Sequence, residues 1–123
     1  MARARIADDA GESAVRAALS ASEPVARDVT ATAVRYLLQL LAERAPGNTV
    51  EVRVPPYGAV QCIEGPRHTR GTPPNVIETD PETWLELGTG ILDWMDALAS
   101  GTVTASGQRA TLEGMLPILV LRQ

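Results

Sequence analysis

The chain has 123 residues, of which 29 are Val, Ile or Leu and only four are aromatic (Tyr36, Tyr57, Trp84, Trp94), an aliphatic content that predicts one folded domain rather than a disordered chain. Its net charge of −4, with 11 cations that are all Arg against 15 acids, weighs against nucleic acid as a partner and against adsorption to anionic membranes. A single Cys62 excludes an internal disulfide, and no apolar run reaches the roughly 18–20 residues that span a bilayer, so stable membrane insertion is not expected.

Residues 1–23 read as an N-terminal extension with a short helix over Glu12 to Ala21, carrying Val15, Ala18 and Leu19 on one side. The opening residues lack the apolar core of a secretory signal, and a cytoplasmic location is the expectation. The main domain is expected over 24–123. It begins with a long helix that has Ser22 as N-cap and Pro24 in the first turn. Val34, Leu37, Leu38 and Leu41 recur at i, i+3, i+4 and i+7, and Pro46-Gly47 ends the helix.

From Asn48 the period falls to two. Val50, Val52 and Val54 alternate with Thr49, Glu51 and Arg53, which predicts a strand buried on one face. Pro55-Pro56 interrupts it, and Tyr57 to Glu64 predicts a second, antiparallel strand. Gly65 to Pro74 is a loop, Asn75 to Thr79 a third strand, and Asp80-Pro81-Glu82 a strong helix start. That helix ends near Gly88. A second short helix is expected from about Ile91 to Ser100, then a strand over Thr102 to Ser106. A terminal apolar helix within Leu112 to Leu121 follows, with Thr111 as its cap and Pro117 shortening or kinking it. Strands grouped apart from helices predict an α+β domain, with helices on one face of a mainly antiparallel sheet of about four to five strands.

The stretch Asn75-Val-Ile-Glu-Thr-Asp-Pro-Glu-Thr-Trp-Leu-Glu-Leu-Gly-Thr-Gly90, followed by Ala97-Leu-Ala-Ser-Gly-Thr-Val-Thr-Ala-Ser-Gly107, resembles the C-terminal half of the sterol carrier protein superfamily. There a strand enters a capped helix, a Leu-rich turn ends in Thr-Gly, and a Gly-x-Val strand closing on Gly leads to a final apolar helix. Gly101, Val103 and Gly107 hold those last positions. The chain looks most like stand-alone actinobacterial members, which share Val54-Pro-Pro-Tyr-Gly-Ala-Val-Gln-Cys62 and Gly65-Pro-Arg-His-Thr-Arg-Gly-Thr-Pro-Pro74. The end Leu121-Arg-Gln123 carries no Ser-Lys-Leu address of the kind a peroxisomal relative has.

The resemblance implies non-catalytic binding or carriage of an apolar lipid, fatty acyl or sterol-like, in a cavity between helices and sheet. Candidate walls are Leu37 and Leu41 on the long helix, Trp84, Leu85, Trp94, Met95 and Leu98 on the short helices, and Met115, Leu116 and Leu119 at the end. The family often uses its terminal apolar helix as a lid. Apolar residues at helical spacing are ordinary core in most proteins, so spacing by itself favours filler over wall for each of them. Arg67, His68 and Arg70 lie in a loop without acids, beside a stretch from Glu78 to Asp96 that holds six acids and no cation. Such a loop could hold an anionic head group, but a solvated or structural loop whose Arg residues pair with the acidic helices is the more ordinary reading. Glu82 and Glu86, at i and i+4, read as a charged helix start rather than a metal pair, and no cofactor is expected. Cys62 and the sole His68 make a weak case for catalysis. A rival reading is a protein-interaction module with no ligand cavity.

Overall fold

The computed structural model describes residues 4–65 and 75–122. Among these residues the order is α1 (Asp8–Ser20), α2 (Arg27–Arg44), β1 (Val50–Val54), β2 (Gly58–Cys62), β3 (Asn75–Thr79), α3 (Pro81–Thr89), α4 (Trp94–Ser100) and β4 (Val103–Ser106). The four strands form one sheet in the order β2-β1-β3-β4. Two of the three pairings are antiparallel, and β1 runs parallel to β3. This is the expected α+β architecture, with one parallel pair at its centre.

Period-two alternation in β1 translates directly into burial. Val50, Val52 and Val54 are fully buried, whereas Glu51 and Arg53 stay on the opposite face, paired with each other. Register carries the buried row across the sheet, since Val52 stands opposite Ile77 on one side and Val60 on the other. The helices cover this row. Trp84 of α3 is fully buried, and its Nε1–H donates to the Val34 carbonyl of α2 at 3.2 Å, so the largest core side chain also has its polar atom satisfied.

Local capping chemistry sets α3 where its sequence predicts and starts α4 at a cap that was not expected. The Asp80 carboxylate accepts from the Thr83 N–H at 2.7 Å with Pro81 at the first helical position. Gly90 ends α3 at φ 85°, a left-handed conformation that a side chain would strain. Asp93 accepts from Met95 N–H at 3.1 Å and starts α4 three residues later than the expected Ile91.

The N-terminal helices differ from their expected bounds. The first runs from Asp8 rather than Glu12, with Gly11 inside it. A Cβ on Gly11 would stand 2.2 Å from the Tyr36 ring, so α1 and α2 cross too closely for any side chain there. That contact offsets the cost of about 1 kcal/mol for Gly within a helix. The second starts at Arg27, not near Ser22 and Pro24, and its cap position, Ala26, has no side-chain cap. Residues 21–26 are spent on the turn between the two packed helices.

The expected terminal helix is absent. Residues 112–121 form turns and extended chain, with a cis Leu116–Pro117 bond and Gly114 at φ 85°. Thr111 Oγ1 does accept from Glu113 N–H at 3.0 Å, but only a turn follows. The backbone finds partners elsewhere: the N–H groups of Ile118 and Leu119 both donate to the Gly88 carbonyl, at 2.8 and 3.0 Å. Arg44 donates to the carbonyls of Pro117 and Ile118, at 3.3 and 2.5 Å. Tertiary hydrogen bonds thus replace the helical ladder that Pro117 interrupts.

Candidate functional site

The expected wall residues occupy several environments. Leu37, Leu41 and Trp84 are fully buried, Leu85 and Trp94 nearly so, and all five belong to one packed core. Leu98, Met115, Leu116 and Leu119 are half-buried against that core, while Met95 is 56% exposed on α4. Leu41, Met115 and Leu116 meet at a hollow of about 300 Å³ beside Arg44 and Pro117. Leu85 lies instead at a more polar hollow with Asp80, Glu82 and Glu86. Arg67, His68 and Arg70 lie outside the described residues.

A different apolar space opens where α2 passes the edge strand β2. It is an open groove of about 460 Å³, with Leu38 and Ala42 of α2 facing Tyr57 and Val60 of β2 and its approach. Gly58 keeps it open. A Cβ there would stand 3.4 Å from Leu38 Cδ1 and 3.8 Å from Arg35 Cγ, so any larger side chain would enter the same space.

The third wall is a strap, residues 4–6, tied to α2 at two points. Ile6 and Gln39 exchange two hydrogen bonds: the Ile6 N–H donates to Gln39 Oε1 at 2.8 Å, and Gln39 Nε2 donates to the Ile6 carbonyl at 2.9 Å. Arg5 forks onto Glu43, from Nε at 2.6 Å and Nη2 at 2.9 Å, and Nη2 also reaches Asp8 at 3.1 Å. These bonds hold the Glu43 carboxyl below its ordinary range. Asp8 is lowered too, chiefly by the Tyr36 hydroxyl that donates to it at 2.9 Å and then by Arg5. Burial, and then that same bond, push Tyr36 up to about 12.

The groove has one further cation. Arg35 is half-buried, and its Nε donates to the Tyr57 carbonyl at 2.8 Å, which fixes the plane of the guanidinium. Among the described residues neither of its Nη groups has an acceptor, and it joins no ion pair. Arg27 adds a second positive charge nearby, 6.0 Å from the centre of the Tyr57 ring.

Periodicity did not single out these groove residues. Leu38 was legible only as part of the apolar stripe, and Ile6, Arg35, Ala42, Tyr57 and Val60 carried no signal. The clue available was Gly58 at the start of a predicted strand, a position where Gly marks a close approach or a gap.

Other chemistries have less to draw on. Burial pushes the Cys62 thiol up to about 11, so it stays protonated and weakly nucleophilic at neutral pH. Among the described residues there is no group of three metal-ligating side chains, and no helix is long and apolar enough to cross a membrane.

Fold and groove together define a small α+β domain with an apolar recess between a helix and the sheet edge. The chain belongs to the bacterial SCP ortholog family, whose model matches residues 26–118. The strap and α1 precede the matched region. No curated protein matches the chain.

Proposed function

We propose that the protein binds and carries an apolar lipid, without catalysis, in the groove between α2 and β2. Membership of the bacterial SCP ortholog family supports lipid binding. The observation that carries the reading is the groove itself, whose volume falls within the usual ~300–1,000 Å³ of small-ligand sites and whose walls include Ile6, Leu38, Ala42, Tyr57 and Val60. Its openness suits uptake and release better than permanent storage. A protonated, buried Cys62 fits a non-catalytic role, and the acidic net charge fits a partner other than nucleic acid. The cytoplasm is the proposed location, in keeping with the single unpaired thiol.

Native mass spectrometry of the protein purified from its host tests this directly, with co-purified lipid as the expected result. Ala42→Trp places a bulky ring into the groove from the half-exposed side of α2. It is expected to weaken binding of a fluorescent fatty acid at least tenfold while changing stability by less than about 1 kcal/mol. Clean protein that also fails to bind the probe at micromolar concentration rejects the carrier reading in favour of an interaction module.

A further inference from the structure

We infer that residues 4–6 are a hinged clamp: the strap swings off α2 without unfolding the domain, closes on an occupant of the groove, and so sets how long that occupant stays. The inference rests on the groove being the lipid site and adds how the site retains and releases its cargo.

The strap is held differently from the other walls. It belongs to no helix or strand, and every hydrogen bond it makes to α2 uses a side chain, that of Arg5, Gln39 or Glu43. Ile6 is its one large apolar side chain, and it is only half-buried. The tail shows the contrast, since there the backbone of residues 117–119 bonds Gly88 and Arg44, and Ile118 is buried. Segments tied by a few solvent-exposed bonds open locally far more often than a domain unfolds.

Lifting the strap leaves no charge stranded. The side chains of Arg5 and Glu43 are each 46% exposed, so both pass to water rather than remaining buried and unpaired. Asp8 keeps the Tyr36 hydroxyl at 2.9 Å. Ala7, extended at φ −65° and ψ 145° just before α1, is the joint, and α1 stays fixed by the crossing of Gly11 and Tyr36. The strap also lies before residues 26–118, outside the part of the chain that the family model matches.

An occupant couples to this opening because the strap is one of its walls. Ala4, Arg5 and Ile6 line the groove together with Leu38, Ala42, Tyr57 and Val60. An apolar molecule there gains contact with the strap only while the strap is down. It therefore favours the closed strap, and by reciprocity the closed strap favours the bound molecule.

Amide hydrogen exchange at Ile6, followed by NMR, reads the strap directly, because that N–H donates to Gln39. Ile6 is expected to exchange at least about a hundredfold faster than the Leu37 and Leu38 amides of α2. Arg5→Gln is expected to speed Ile6 exchange about two- to fivefold, the scale of an exposed ion pair, while the α2 amides keep their protection and so show the variant folded. Saturation with Nile red, a neutral apolar dye, is expected to slow Ile6 exchange about fivefold. The dye's dissociation rate is expected to rise about two- to fivefold in Arg5→Gln, and to rise with added salt in the wild type but not in that variant. An Ile6 amide that exchanges no faster than Leu37 and Leu38 shows a fixed wall and overturns the inference. Ile6 exchange that bound dye leaves unchanged, or equal dissociation rates in Arg5→Gln and the wild type, overturns it too, and in each case the groove still stands as the lipid site. Failure of the wild type to bind the dye, or undiminished binding in Ala42→Trp, rejects the groove as the lipid site and the clamp with it.

Discussion

Helix α2 presents apolar side chains to two neighbouring directions that meet opposite fates. Toward α3 and the sheet centre, Val34 and Leu37 are fully buried, and the Val34 carbonyl is taken up by Trp84. Toward the edge strand, Leu38 is equally buried, but the half-buried Ala42 beside it borders open space, faced by a strand that begins with Gly and by a three-residue strap. The side chains are alike in chemistry. The environment differs because α3 brings a Trp to one side, whereas the other side meets Gly58 and a thin segment of chain. Apolar character therefore does not mark a binding site, and a shortage of opposing volume does.

Substitutions on the two sides should separate sharply. Trp84→Ala removes the largest fully buried side chain of the sealed side and is expected to destabilise the fold by about 3–5 kcal/mol, measured by denaturant unfolding. Gly11→Ala, which drives a Cβ against the Tyr36 ring at the α1–α2 crossing, is expected to cost about 1–3 kcal/mol by the same measurement. Ala42→Trp on the open side reverses the pattern, with ligand affinity lost and stability nearly kept. A wild-type-like midpoint for Trp84→Ala, or global unfolding of Ala42→Trp, would erase the distinction between the two sides.

The smallest effect expected is on the strap. Asp8, held down first by the Tyr36 hydroxyl and then by Arg5, and Glu43, held down by Arg5, have lowered pKa values in the folded protein, so these bonds stabilise it above the ordinary carboxylate range. That contribution is lost as pH falls through the range toward the folded-state values. Both pairs are exposed to solvent, so the loss is modest and shrinks with added salt. Unfolding midpoints between pH 6 and pH 3 should fall less steeply in Arg5→Gln than in the wild type, and identical slopes would show that the strap carries no such linkage.

Much of the architecture could be read along the chain, for reasons that are local. The alternation of Val50, Val52 and Val54 needs only the two-residue repeat of a strand, and Asp80-Pro81 needs only the geometry of a helix start. Where the reading failed, a distant partner intervened. Leu112 to Leu121 carries enough apolar residues for a helix, yet Gly88 and Arg44 supply its backbone partners from other elements. Pro24 suits a helix start, but crossing at Gly11 and Tyr36 requires residues 21–26 as a turn.

The site was less legible than the fold. Leu37, Leu41 and Trp84 satisfy the periodicity of a cavity wall and the periodicity of a core equally well, and in the folded chain they lie in the packed core. Ile6 and Val60 are 54 residues apart in sequence and share a groove only because the strap binds α2 beside the sheet edge.

By itself the sequence determined the class of fold, the identity of most elements and the residues available to be buried, since each depends on bonds and contacts within a few positions. Tertiary structure alone decided which side of α2 is sealed, that β1 and β3 run parallel, where the tail finds its hydrogen bonds, and that Arg35 binds the Tyr57 carbonyl beside the groove. A groove is volume left unfilled, and unfilled volume is a property of how distant segments meet rather than of any one of them.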